Sequence, residues 1–176
     1  MATTKPTFAK MGLKMNTEIA VIKIGEQEIE VKQYLPINDK LTLIGNVINQ
    51  AADENNFSNP IKLDVFTALE IVFAYTNLSF TDKQKEDLVK LYDIMESNGI
   101  FDTVIAAIPK VEYKSIIEGV QDCSNAIYTY RNSALGIMDS IAQDYSNLDL
   151  DATKIQEKLA DPDNIALLKQ IMTKMG

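Results

Sequence analysis

The sequence predicts a mainly α-helical protein, a multi-helix bundle that follows a short N-terminal β-hairpin. Apolar side chains recur every three or four residues from residue 36 onward, which is typical of helices with one buried face. Residues 17–35 alternate instead, on both sides of Gly25. With 46% apolar residues, 7 Gly and 5 Pro in 176 residues, the chain can build one core. We expect a flexible arm at 1–16 and a single domain at 17–176, with its helical body at 36–176.

The hairpin is predicted from two strands, 17–24 and 27–35, joined by Gly25 and Glu26. The apolar residues of the second strand alternate with polar ones and are Ile29, Val31 and Leu35. Two strands alone are only marginally stable, so the hairpin must lie on helices or pair with another chain. We expect a conditional element whose edge strand can add to another chain and whose removal leaves a folded helical body.

The first helices are predicted from their periodicity and their start signals. Asn38 is a plausible N-cap for a helix that reaches about residue 51. Residues 61–77 are apolar on nearly every side, which indicates a central helix surrounded by others. Thr81 and Gln84 have the spacing of a capping box, and the helix that follows them is expected to stop at Gly99.

The second half of the chain predicts one long helix and three shorter ones. After a short helix that ends at Pro109, an apolar stripe runs over residues 111–145. Ser124 and Arg131 interrupt its heptad seam, so packing along a bundle is favoured over a free-standing coiled coil. Asp151 and Asp161 then offer starts for two amphipathic C-terminal helices.

The composition disfavours catalysis. The chain has no histidine, one cysteine, Cys123, and one arginine, Arg131. Histidine is the side chain that most easily exchanges protons near neutral pH, and a Ser/His or Cys/His pair cannot exist without it. The chain also lacks a Gly-rich phosphate loop and a Gly-x-Ser-x-Gly elbow. We therefore expect a non-enzymatic protein without a cofactor, in which Cys123 is a small buried apolar residue.

Two acidic patterns have some features of metal sites, but helix capping and solvent exposure account for them better. Residues 147–151 begin like a calcium-binding EF-hand loop, yet Ala152 and Lys158 stand where that loop needs Gly and Glu. Capping of the following helix accounts for the aspartates there. Glu26, Glu28 and Glu30 share one side of the hairpin, where we expect them to be solvated. The sequence thus predicts no metal site.

The charge and the hydropathy exclude two classes of partner. A net charge of −8 opposes the binding of nucleic acid, which requires a basic surface. The strongest apolar run, residues 65–75, is too short to cross a membrane and contains Glu70. Residues 1–14 have no apolar segment typical of a secretory signal, so we expect the protein in the cytoplasm.

The order of elements resembles a known family. Ile-Gly-Glu-Gln-Glu-Ile-Glu-Val-Lys-Gln-Tyr-Leu-Pro at 24–36 leads directly into amphipathic helices, with residues 40–50, a polar break at 53–57 and a helix at 65–75. This pattern over residues 17–145 resembles the tail assembly chaperones of long-tailed bacteriophages of Gram-positive hosts. The resemblance implies a non-enzymatic protein of the host cytoplasm. Such a protein binds and solubilises the hydrophobic tape measure protein until tail tube subunits polymerise around it.

A chaperone of this kind needs adaptable apolar surface, which methionine and tyrosine can provide. The candidate partner-binding residues lie on the predicted long helix and are Tyr128, Tyr130, Arg131 and Met138. The tape measure protein is the expected partner, the tail tube protein is a second candidate, and a homo-oligomer is left open. The alternative is an acidic phage-encoded inhibitor of a host defence protein. An inhibitor of that kind needs its acids on one face, whereas here they are spread along the chain.

Overall fold

A computed structural model describes residue 5 and residues 7–53 and 58–147. These residues form mainly helices and one two-stranded antiparallel sheet, which confirms the predicted fold class. The bounds are 3-10 helix Phe8–Met11, β1 Ile19–Ile24, β2 Gln27–Lys32, α1 Ile37–Ala51, α2 Pro60–Tyr75, α3 Asp82–Glu86, α4 Leu88–Ser97, α5 Ile100–Ala107, α6 Lys110–Arg131 and α7 Ala134–Asn147.

The described residues belong to two compact units. The first covers residues 1–128, and the second begins at residue 129, near the end of α6. The helix starts predicted at Asp151 and Asp161 lie outside the described residues. Among the described helices, none combines the length and the apolar character that crossing a membrane requires.

The hairpin has the predicted position and turn. β1 and β2 pair with Ile22 opposite Ile29, and Gly25 adopts a left-handed backbone conformation with a φ of 62°. Glycine takes this conformation without a steric penalty, which is why the chain can reverse direction over two residues. Glu26, Glu28 and Glu30 are all exposed, as predicted for the solvated side of the hairpin.

The hairpin is not detachable, and that part of the prediction is wrong. Ile29, Val31 and Leu35 are buried in the core of the first unit. Val31 also forms a bridge with Thr76, directly after α2. Since β2 supplies fully buried side chains and backbone pairing, removing residues 1–35 would open the core.

The cap of α1 also differs from the prediction. Pro36 occupies the N-cap position and Asn38 lies within the first turn, where its carbonyl accepts a hydrogen bond from the Thr42 hydroxyl at 3.0 Å. Proline is favoured near helix starts because its ring presets φ and it has no N–H to satisfy. Asn59 is the true cap of α2, since its side chain accepts the N–H groups of Ile61 and Lys62.

Helix α2 is the central helix, as predicted from its apolar circumference. Leu69, Ile71, Val72 and Tyr75 are buried along it. Its buried carboxylate, Glu70, accepts hydrogen bonds from two side chains of α1, the Asn46 amide at 3.0 Å and the Gln50 amide at 2.9 Å. A charged group is tolerated in this position because hydrogen bonds replace part of its hydration.

The segment after α2 confirms two local predictions. Thr81 and Gln84 form the capping box, and Gly99 ends α4 in a left-handed conformation with a φ of 66°. One detail differs: the sequence predicts one helix between Thr81 and Gly99, whereas the structure has two. Asp87 separates α3 from α4, and its side chain starts the second by accepting the N–H of Lys90 at 3.1 Å.

The single long helix predicted over residues 111–145 is wrong, because the chain breaks between α6 and α7. The Ser133 side chain accepts the N–H of Gly136 at 3.2 Å, which gives α7 its own start. Gly136 permits the close turn, since a Cβ atom there would lie 2.2 Å from the Tyr130 carbonyl oxygen. The break therefore depends on a polar cap and on a residue without a side chain.

We expect truncation of the central helix to be costly. Leu69→Ala or Val72→Ala removes a fully buried side chain, so each should lower the free energy of unfolding by roughly 2 to 4 kcal/mol through lost burial and cavity formation. Ile61→Ala, at an exposed position of the same helix, should change it by less than about 0.5 kcal/mol. Urea denaturation measures both. Equal midpoints for Leu69→Ala and Ile61→Ala would contradict the central position of α2.

Candidate functional site

A buried carboxylate, Glu112, lies in the first turn of α6 and joins four segments of the first unit. Its Oε1 atom accepts the backbone N–H of Leu35 at 2.8 Å and the Tyr75 hydroxyl at 3.1 Å. The Lys40 ammonium of α1 lies 2.8 Å from the same oxygen. Lys40 also lies 5.0 Å above the ring of Tyr34, a cation–π contact.

The protonation states in this network follow from its geometry. Burial alone would raise the pKa of Glu112, but hydrogen bonds from Lys40, Leu35 and Tyr75, with the charge of Lys40, together hold the pKa below its ordinary value. Burial and the adjacent Glu112 carboxylate raise the pKa of the Tyr75 hydroxyl. Glu112 is therefore ionised and Tyr75 neutral near pH 7.

The geometry of this network supports a structural role. One carboxylate oxygen accepts three hydrogen bonds, and the side chains of both Lys40 and Glu112 are almost fully enclosed. A side chain that binds a partner or a substrate must be accessible and must have hydrogen-bonding capacity that the protein itself does not already use. Sequence reasoning missed this network, because a glutamate in the first turn of a helix is an ordinary favourable placement near the helix dipole.

The first unit also has an open apolar groove between α2, α5 and α6. Its volume is about 390 Å³. The residues that line it are mostly apolar and include Leu63, Ala68, Ile71, Ile105, Ile117 and Val120, with the polar groups of Asp64, Thr67 and Gln121 beside them. A groove of this size can accept a few apolar side chains of a partner.

The predicted partner-binding residues are distributed over both units. Tyr128 lies at the end of the first unit, and 61% of its surface is exposed. Tyr130 and Met138 belong to the second unit, with 50% and 66% exposure. Arg131 is half-buried. Their role in binding stays a prediction, but three of the four side chains are accessible.

Within the second unit, Tyr130 is tied to α7. Its hydroxyl donates a hydrogen bond to the Asp139 carboxylate, next to Met138. This hydrogen bond and the charge of Asp139 raise the pKa of Tyr130. The aromatic ring is held in place across the turn while half of its surface still faces solvent.

Two further exposed apolar residues accompany Met138 on α7. Leu135 and Ile137 are 68% and 52% exposed. Leu135 and Met138 are three residues apart and therefore share one face of the helix. The heptad pattern predicts that the stripe with Ile137 packs along the bundle, but Ile137 is exposed, since periodicity alone cannot tell a buried stripe from an exposed one.

The other candidate sites show no arrangement of reactive or metal-binding side chains within the described residues. Cys123 is half-buried against the core, less enclosed than its apolar stripe predicted. Over the described ranges, no three His, Cys, Asp or Glu side chains lie close enough to hold a metal ion. Most of the loop that resembles an EF-hand, residues 147–151, lies outside those ranges.

Comparison with known proteins finds no matching family model, no matching curated protein and no matching solved structure.

We expect the Glu112 network to be the most sensitive polar feature of the fold. Lys40→Met leaves a buried carboxylate without its counter-charge and should lower the free energy of unfolding by roughly 3 to 5 kcal/mol near neutral pH. Lys114→Met, in the exposed ion pair with Glu118 at 3.4 Å, is the matched control and should cost about 0 to 1 kcal/mol.

The destabilisation caused by Lys40→Met should become smaller as the pH falls. In the wild type the lowered pKa of Glu112 stabilises the fold above the ordinary carboxyl pKa of about 4.3, and this contribution disappears as the pH falls through the lower folded value. In Lys40→Met the unpaired carboxylate gains from protonation, so the stability difference should narrow toward about pH 4. Urea denaturation of both proteins at several pH values measures this difference in the free energy of unfolding. A difference that does not change with pH would contradict the ion pair between Lys40 and Glu112.

Proposed function

We infer that this protein is a non-enzymatic binding protein that acts as a phage tail assembly chaperone for an apolar helical partner. The observation that carries this proposal is the exposed apolar surface of the second unit. Tyr130, Leu135, Ile137 and Met138 each expose half or more of their surface within a span of nine residues. Exposed apolar side chains that share a face are typical of interaction sites, and Leu135 and Met138 share one on α7.

The chemistry of these side chains suits a partner with a variable apolar surface. Methionine is flexible and polarisable, so Met138 can adapt to different contours. Tyr130 adds a rigid aromatic contact, because Asp139 holds its hydroxyl. An amphipathic helix is the natural occupant for such a surface, since it presents apolar side chains at spacings of three and four residues.

The identity of the partner comes from the resemblance in the order of elements. The hairpin followed by amphipathic helices resembles tail assembly chaperones, which supports the tape measure protein as partner, with the tail tube protein second. The proposed site of action is the host cytoplasm. An acidic inhibitor of a host defence protein has less support, because Lys23 and Lys32 are interspersed among the carboxylates of the hairpin.

We expect binding energy to concentrate in a few of these side chains. Tyr130→Ala or Met138→Ala should weaken binding of the tape measure protein roughly 10- to 30-fold, because truncating an apolar anchor removes about 1.4 to 2 kcal/mol of contact energy. Tyr130→Phe keeps the ring and should retain most of the affinity. Val89→Ala, at an exposed apolar position of α4 in the first unit, is the matched control. Co-expression followed by co-purification measures the effect.

Two results would count against the proposal. One is a tape measure protein that is soluble without this chain and does not co-purify in its presence. The other is an equal loss for Val89→Ala and Met138→Ala, which would indicate unspecific apolar adhesion in place of a defined surface.

A further inference from the structure

The first unit carries an arm, residues 7–16, whose apolar side chains lie outside the core. Every residue of this arm is exposed. Its large apolar side chains, each with more than half of its surface exposed, are Phe8, Met11, Leu13 and Met15. Across the described ranges, no hydrogen bond or ion pair joins residues 7–15 to the chain that follows them. Such a segment gains free energy from any apolar surface that covers it, because exposed apolar groups are unfavourable in water.

The charge of this segment is opposite to that of the rest of the chain. Residues 1–16 contain three lysines and no acidic residue, whereas all 25 carboxylate side chains lie in residues 17–176. Lys10 and Lys14 are both exposed on the arm. Opposite charges favour contact between the arm and the acidic body of the same chain.

The groove between α2, α5 and α6 offers a complementary surface. Its lining is mostly apolar, and the one charged side chain among the described residues that line it is the exposed carboxylate of Asp64. Asp64 takes part in none of the ion pairs found in the described part of the chain. An apolar groove with a carboxylate at its side matches a segment that presents apolar side chains next to a lysine.

The root of the arm lies close to one wall of this groove. β1 packs against α5. The Glu18 carbonyl, just before β1, accepts the N–H of Gln33 at 3.0 Å. The Gln33 side chain donates in turn to the Ala107 carbonyl at the end of α5, at 2.8 Å. Ile105, two residues earlier, lines the groove. Ten residues can span about 33 Å and a helix with its side chains is about 10 to 12 Å wide, so the arm can pass α5 and enter the groove.

We propose that the arm docks into the groove of its own chain, with Phe8 and Met11 among the apolar lining residues. Lys10, between them in sequence, then lies beside Asp64. Phe8 and Met11 already point to one side, since residues three apart eclipse in the 3-10 turn Phe8–Met11. Docking removes apolar surface of both the arm and the groove from water. The exposed arm of the structure is the undocked state of this equilibrium, and a partner segment that uses the groove must displace the docked arm.

Attachment favours the chain's own arm over other occupants. A short flexible tether gives the arm an effective concentration in the millimolar range, roughly, at the groove. A second copy of the chain in dilute solution is far less concentrated than that. The net charge of −8 also opposes the approach of a second copy, whereas it does not oppose a contact within one chain.

A tryptophan in the arm reports docking directly, because the chain has no tryptophan of its own. In Phe8→Trp the indole should emit at shorter wavelength and be less accessible to the quencher acrylamide than in Val89→Trp. Val89 is an exposed position of α4 and gives the solvated reference. Neither reading should change with protein concentration. Circular dichroism of each full-length variant confirms that it is folded.

Charge reversal tests the pairing of the arm with the groove. In the Phe8→Trp chain, Asp64→Lys should move the emission to that of the solvated reference. Glu26→Lys, the same change of charge at the exposed hairpin turn, should leave the emission unchanged. Lys10→Glu alone should also abolish the shift, and Lys10→Glu combined with Asp64→Lys should restore it. A merely structural effect of either change would not be reversed by adding the other.

Four results would overturn the proposal. They are a Phe8→Trp indole as solvated as that of Val89→Trp, a shift indifferent to Asp64→Lys, a charge exchange that restores nothing, and a shift that grows with protein concentration. The last would assign the groove to the arm of another copy. All of these variants lie in the first unit, so none of the four results bears on partner binding by the second unit.

Discussion

The fold of the first unit depends on the pairing of a single buried carboxylate. Glu112 of α6 needs hydrogen bonds and a counter-charge to remain ionised in the interior, and it obtains them from the backbone after β2, from Lys40 of α1 and from Tyr75 of α2. These partners come from separate parts of the chain, so none of the four segments can be placed without the others. Glu70 repeats the arrangement between α1 and α2, where Asn46 and Gln50 satisfy it. Buried polar groups with every partner present restrict the packing to one arrangement.

The packing around these buried carboxylates determines where apolar surface remains exposed. The core contains β2, the central helix α2 and one side of α6, while β1 exposes the side chains of Ile19 and Val21. The second unit contributes α7 with exposed side chains, among them Leu135 and Met138. The second unit thus exposes apolar side chains on a helix outside the polar network, where a protein that acts through contacts can change its surface without disturbing its core.

The local elements were predictable because their causes are local. The turn at Gly25, the capping box at Thr81 and the stop at Gly99 each depend on a few neighbouring residues. The apolar circumference of α2 likewise predicted its central position. Predictions failed where two local solutions competed. Pro36 occupies the cap position expected for Asn38, and Ser133 with Gly136 divides a stripe whose heptad pattern extends to residue 145. The four candidate binding residues could be placed on helices, but their exposure could not be derived, because an apolar stripe looks the same whether it is covered or free.

The sequence by itself determined the fold class, the hairpin with its turn at Gly25 and most helix boundaries, because these follow from hydrophobic periodicity and from caps and turns that span a few residues. Only the tertiary structure decided that β2 belongs to the core, that Glu112 is buried and paired, and that Thr76 and Asn77 cover the outer edge of β2. The physical reason is sequence distance. The bonds of Glu112 to Leu35 and Tyr75 connect residues 77 and 37 positions apart, and the bridge between Val31 and Thr76 closes one sheet edge from a helix end. No local pattern records such contacts, since each residue involved is also ordinary in its own segment.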